Sequence, residues 1–110
     1  MKALKIKITK FIDAHQPGFV ECRFVDARNQ EHIIHEKAPV VTTENLNENS
    51  IYPTDGFIAY EILREYSDEN SRSLITISTE RPWDISTVEN ISVFDVFENK
   101  LTEIQELPNS

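Results

Sequence analysis

The stretch FVECRFVDARNQEHIIHEK carries the residues of this chain best suited to covalent chemistry. A hairpin turning at Arg28-Asn29 sets Ala27 against Gln30 and Cys22 directly opposite His35. Cross-strand neighbours lie within contact distance, and an imidazole beside a thiol lowers its pKa and makes it a nucleophile. The chemistry also needs an oxyanion hole and a substrate cleft, and no glycine-rich turn supplies them. Val20 and Phe24 flank Cys22 on its own face, so the plainer reading is a buried structural thiol.

His32 and His35 invite a metal reading, but an offset of three on a strand sends them to opposite faces. His15 belongs to another loop, and with a lone cysteine the usual zinc spacings are absent. Glu61 and Glu65 share one strand face beside Leu63, which reads as a solvated stripe rather than a general acid/base pair. No serine sits in a nucleophile elbow, and no glycine loop can cradle phosphate. The expectation is a chain with no catalytic residues, no metal and no cofactor.

The elements that hold these residues read as strands. KALKIKIT puts Leu4, Ile6 and Ile8 on one face, and Lys5, Lys7 and Thr9 on a lysine-bearing outer face that discourages edge pairing. FVECRFVD alternates again, ARNQ supplies a tight turn through Asn29, and EHIIHEK is the return strand. Residues 57–66 read as one strand, closed at Ser67 and Arg72 onto RSLITISTE, which pairs Ile62 with Ile77, Tyr60 with Thr79 and Arg64 with Ile75. NISVFDVFE is the last strand. Leu101, Ile104 and Leu107 are three apart and predict a short C-terminal helix, with a frayed tail at 106–110. TTENL, within 42–47, predicts another helical turn. The whole is an all-β, antiparallel single domain over residues 1–110, about six strands in hairpins, forming a small barrel or a compact sandwich. With two glycines, its turns must use Asn, Asp, Ser and Pro.

Charge narrows the partners. The net is −8, yet from Glu44 to the end there are fourteen acids against four bases. Such a surface repels a phosphate backbone, so nucleic acid is not expected; it speeds encounter with a basic protein. No apolar window is long enough to cross a bilayer. MKALKIKITKF lacks the unbroken apolar core of a signal peptide, and a lone cysteine fits a reducing compartment, so a cytoplasmic setting is expected.

Two further places draw attention. In STERPWD, Pro82 cannot donate to a ladder, so Trp83 emerges at a rim, where the favoured reading is a plug on the core and the alternative an exposed hot spot. The connection 38–56 is long, and long ordered loops tend to carry function. The candidate protein contacts are therefore Glu44, Glu48, Tyr52 and Asp55, joined by Trp83 and Asp84 at the rim. Three readings follow. The first is a non-catalytic acidic module binding a basic partner, in the manner of an immunity protein or antitoxin. The second is a ligand-binding pocket or enzyme at the sheet's open end, using Cys22, His35 or Tyr60. In the third, a homo-oligomer subunit, Lys5 and Lys7 meet a neighbour's acidic face.

At VECRFVDARNQEHIIHEKAPVVTTENL, YPTDGFIAYEIL and ISTERPWDISTVEN the chain resembles a family of small bacterial proteins without an assigned function. The marks are EKAPVVT, the YP before the third strand pair, and TERPW after it. The resemblance implies a bacterial single-domain β protein and transfers no active site.

Overall fold

The structure is a computed structural model describing residues 1–13 and 18–104. Eight strands and two short helical turns run in the order β1 (Lys2–Asp13), β2 (Phe19–Val25), β3 (Glu31–Lys37), α1 (Ala38–Val41), β4 (Thr54–Ala59), β5 (Glu61–Ser67), β6 (Ser73–Ser78), β7 (Val93–Phe97), a 3-10 turn (Glu98–Lys100) and β8 (Leu101–Glu103). They form two antiparallel sheets packed as a sandwich. One has the order β3-β2-β1-β4 with β8 also on β1, and the other is β5-β6-β7.

Alternation builds the core as expected. Leu4, Ile6 and Ile8 of β1, Val20, Cys22 and Phe24 of β2, and Ile34 of β3 are buried. From the second sheet Ile75, Ile77, Phe94 and Val96 join the same cluster. The lysine-bearing strand is central rather than an edge, since β1 pairs with β2, β4 and β8. Its apolar face is needed at the centre of the core, and its lysines lie on the outer face of the sheet.

Three connections share one turn. Asp26, Asp68 and Thr87 each accept backbone N–H groups two and four residues on, through Asp26 Oδ1, Asp68 Oδ1 and Thr87 Oγ1. The fourth residue of each, Asn29, Ser71 or Asn90, has φ of 63°, 61° or 66°. This is the three-residue hairpin loop, a turn followed by one left-handed residue. Here asparagine and serine occupy the left-handed position that glycine often takes.

The turn overrides the register expected from pattern alone. In the first hairpin Val25 pairs with Glu31, so Cys22 faces Ile34, and His35 faces Glu21. In the second, Ser67 pairs with Ser73 and Arg64 with Thr76, although Ile62 still meets Ile77 because a bulge absorbs the extra residue.

Three other expectations are corrected. The strand read over 57–66 is divided at Tyr60, with β4 in one sheet and β5 in the other. Ile58, Ala59 and Tyr60 are buried in succession, since a chain crossing between sheets is covered on both sides. The helical turn expected within 42–47 lies earlier, at Ala38–Val41, started by Pro39 and stopped by extended Thr42. The C-terminal helix is absent at Leu101, which enters a strand because β1 offers Lys2–Leu4 as an unpaired edge; Leu107 and the tail at 106–110 lie outside the described residues. Among the described residues no helix is long and apolar enough to cross a membrane.

Helix α1 closes one end of the core through Ala38 and Val41, and Gly56 of β4 makes that approach possible. A Cβ at Gly56 would sit 2.9 Å from Ile8 Cδ1 and Cγ1 and 3.2 Å from the Val41 carbonyl oxygen. Gly56→Ala is therefore expected to destabilise the fold by about 1–3 kcal/mol, as overpacking does. Urea unfolding checks it, with a smaller loss expected in an Ile8→Val background; an unchanged midpoint would contradict the contact.

Candidate functional site

The residues read for chemistry are separated by the hairpin register. Cys22 is fully buried, facing the core beside Ile34, whereas His35 stands on the outer face of the sheet. Burial, with Glu36 and Glu21 adding their charges, pushes the Cys22 thiol up to about 12. Tyr60 is buried at the crossing between sheets, and its hydroxyl is also pushed up, chiefly by burial. These three residues do not assemble the expected open-end pocket around a Cys22–His35 pair. His32 and His35 take opposite faces, and no group of three metal-ligating side chains comes together among the described residues.

His35 instead reaches towards Glu21, whose carboxylate is the best-connected polar group on the outer face. A bulge in β1 sets both Thr9 and Lys10 against Glu21, and Thr9 Oγ1 donates to Glu21 Oε2 at 2.7 Å. Arg23 Nε donates to the same oxygen at 3.0 Å, while Lys10 Nζ and His35 Nε2 lie 3.9 and 3.6 Å from Oε1. Glu21 is 6% exposed, with Thr9, Lys10, Arg23 and His35 around its carboxylate. Its carboxyl sits below the ordinary glutamate range. The Thr9 hydroxyl lowers it most, burial opposes, and Arg23 and Lys10 lower it further.

A second buried pair joins the sheets. His32 Nε2 lies 2.7 Å from Asp26 Oδ2, and its ring packs against Phe24 and Phe94 at 5.2 and 4.8 Å between centroids. Burial raises the Asp26 carboxyl, but hydrogen bonds from His32 and from the Gln30 and Arg28 backbone N–H groups outweigh it and leave the group lowered. The hydroxyl in the adjoining recess, that of Thr76, donates to Asp95 instead. The pair therefore buttresses the turn rather than activating a nucleophile.

The candidate protein contacts fall on separate surfaces. Glu44 and Glu48 are exposed and line a groove of about 410 Å³ with Phe11, Ala38, Pro39 and Leu46. Asp55 is exposed on the outer face of the first sheet, bound to Lys7. Trp83 is half-buried and packs against the core, while Asp84 beside it is exposed.

The loop at 42–53 is held together by its own polar groups. Tyr52 packs on the core and donates its hydroxyl to the Asn47 carbonyl at 2.7 Å, and Leu46 also packs on the core. The Ser50 N–H donates to the same carbonyl, and Asn47 Oδ1 accepts from the Asn49 N–H. Beside these anchors Ile51 is 87% exposed, the most exposed large hydrophobic residue described. Sequence reading passed it over. Its one signal is an aliphatic residue inside an otherwise polar stretch, ENLNENSIYP.

Two outcomes follow. At about pH 8 the native Cys22 thiol is expected to resist a chromogenic disulfide under conditions in which the urea-unfolded chain reacts fully; fast native reaction would place the thiol outside the core. For Glu21, a folded pKa below the unfolded one contributes stability above the ordinary glutamate range and loses it as pH falls through the folded value. Thr9→Val should therefore cost about 1–3 kcal/mol near neutral pH, and the difference from wild type should shrink in acid as Glu21 protonates in both. A pH-independent difference would remove the carboxylate from the account. Comparisons with protein families, curated proteins and solved structures find nothing that matches this chain.

Proposed function

We propose that this chain is a non-catalytic, cytoplasmic interaction module that holds a basic protein partner, in the manner of an immunity protein or antitoxin. The observation that carries this reading is Ile51, 87% exposed on a loop fixed by Tyr52 and Asn47. An apolar side chain presented on a pre-ordered loop docks with little further loss of conformational freedom. Such a residue becomes a hot spot when a partner's pocket removes it from water.

The acids of the same loop, Glu44 and Glu48, supply the choice of partner. They belong to the part of the chain, from Glu44 onward, with fourteen acids and four bases. Complementary charge steers encounter and disfavours acidic competitors, nucleic acid among them. Tyr52 serves as the anchor of the loop rather than as a contact. Asp55, held by Lys7, and Trp83, packed on the core, are left to structural roles.

Affinity capture with tagged wild type, Ile51→Asp and Glu44→Lys/Glu48→Lys tests this. All three sites are exposed, so the variants are expected to melt with the wild type. A basic protein retained by wild type should be lost from Ile51→Asp and weakened about tenfold or more by the double charge reversal. Equal retention by all three, or retention of acidic proteins alone, would overturn the proposal.

A further inference from the structure

A second groove, which touches that loop only at Pro53, lies where β1 is left without a partner on one flank. Along this flank β8 pairs with Lys2–Leu4, and β2 pairs only from Lys7 onward. Lys5 and Ile6 are skipped. Strand β2 diverges from β1 where its end and the turn after it contact the other sheet. Phe24 packs edge-on against Phe94 at 5.0 Å, and the Ala27 N–H donates to the Asp95 carbonyl at 2.7 Å. Strand β8 arrives from the opposite direction through the 3-10 turn, whose Asn99 and Lys100 form the far wall.

The resulting groove of about 610 Å³ is within the size range of small-molecule sites. Leu4, Ile6 and Phe24 lie beneath it, and Val25 and Pro53 add apolar surface at its sides. Four cations, Lys5, Lys7, Arg23 and Lys100, face two acids, Glu31 and Asp55. In a chain of net charge −8 this is a local reversal of sign. Lys7 is bound to Asp55, and Arg23 to Glu21 and Glu31. Lys5 and Lys100 have no carboxylate partner among the described residues. The two-residue gap spans only about 7 Å, too short for an added strand, so the occupant is a small molecule rather than a peptide.

We propose that the cleft between β1, β2 and the 3-10 turn binds a small organic anion with an apolar body, such as a medium-chain carboxylate. The apolar part lies over Ile6 and Val25, and the anionic group meets Lys5 and Lys100. The cleft shares only Pro53 with the Ile51 loop and involves none of Ile51, Glu44 and Glu48, so neither proposal stands on the other.

The probes are an anionic naphthalenesulfonate dye, whose fluorescence rises in an apolar site, with decanoate and decanol as competitors. Decanoate should displace the dye and shift the backbone amide resonances of Lys5 and Ile6. Lys5→Glu/Lys100→Glu, both exposed positions, should weaken decanoate about tenfold without lowering the melting temperature. Displacement by decanol as effective as by decanoate would overturn the proposal. So would unchanged decanoate binding in the double variant, amide shifts confined to another region, or failure of the dye and decanoate to bind the wild-type chain.

Discussion

In a sheet the side-chain period is two, so the length of one turn decides which face every residue of the following strand occupies. The Asp26 carboxylate accepts the backbone N–H groups of Arg28 and Gln30, which holds a three-residue loop with Asn29 left-handed. That loop puts Ile34 opposite Cys22 and His35 opposite Glu21. A loop shorter by one residue would bring His35 to the core and leave Ile34 on the surface. The buried Asp26–His32 contact secures the same turn from below, and Asp68 and Thr87 repeat the device elsewhere. A chain with two glycines can make tight hairpins because asparagine and serine accept the left-handed conformation when a side chain three residues earlier holds the loop.

The position of β1 follows from its length and its two faces. At twelve residues it outlasts each neighbour, and its alternate aliphatic residues form the middle of the core. Its outer face carries lysines in a chain that is otherwise acidic, so the molecule is divided by charge. Around Glu21 the cations are consumed by a buried carboxylate, with a bulge turning Thr9 towards it. Further along, β2 and β8 diverge and the cations surround an apolar cleft. The same strand therefore supplies a saturated polar cluster at one place and an unsatisfied one at another.

The two proposed surfaces draw on different physics. The loop ending at Tyr52 relies on order and exposure, since its polar groups bond to one another and leave Ile51 in water. The cleft relies on a gap in a hydrogen-bond ladder with uncompensated charge at its rim. Elsewhere the polar groups are turned inward: burial pushes the Cys22 thiol up, and the Thr9 and Thr76 hydroxyls donate to Glu21 and Asp95.

Much of the architecture was legible from alternation alone. Leu4, Ile6 and Ile8 announce a one-sided strand, and Ile75 and Ile77 another, because burying one face of a sheet demands that spacing. The division of 57–66 at Tyr60 was not legible, since a strand that crosses between sheets keeps its β-forming composition on both sides of the break. Nor was β8: LTE joins β1 only because Lys2–Leu4 has an edge left to pair, a condition set by residues a hundred positions away. Of the candidate site, the acids of the long connection could be named from composition, whereas the anchoring of Tyr52 and the exposure of Ile51 depend on how that loop folds back on itself. The groove beside Lys5 was invisible because it is formed by the divergence of β2 and β8. The sequence by itself determined an antiparallel, acid-rich β fold, since pattern and charge are local properties. Register, the fate of Cys22 and His35, and the location of every surface depression were decided by tertiary structure, because each is set by one turn residue or by the meeting of distant strands.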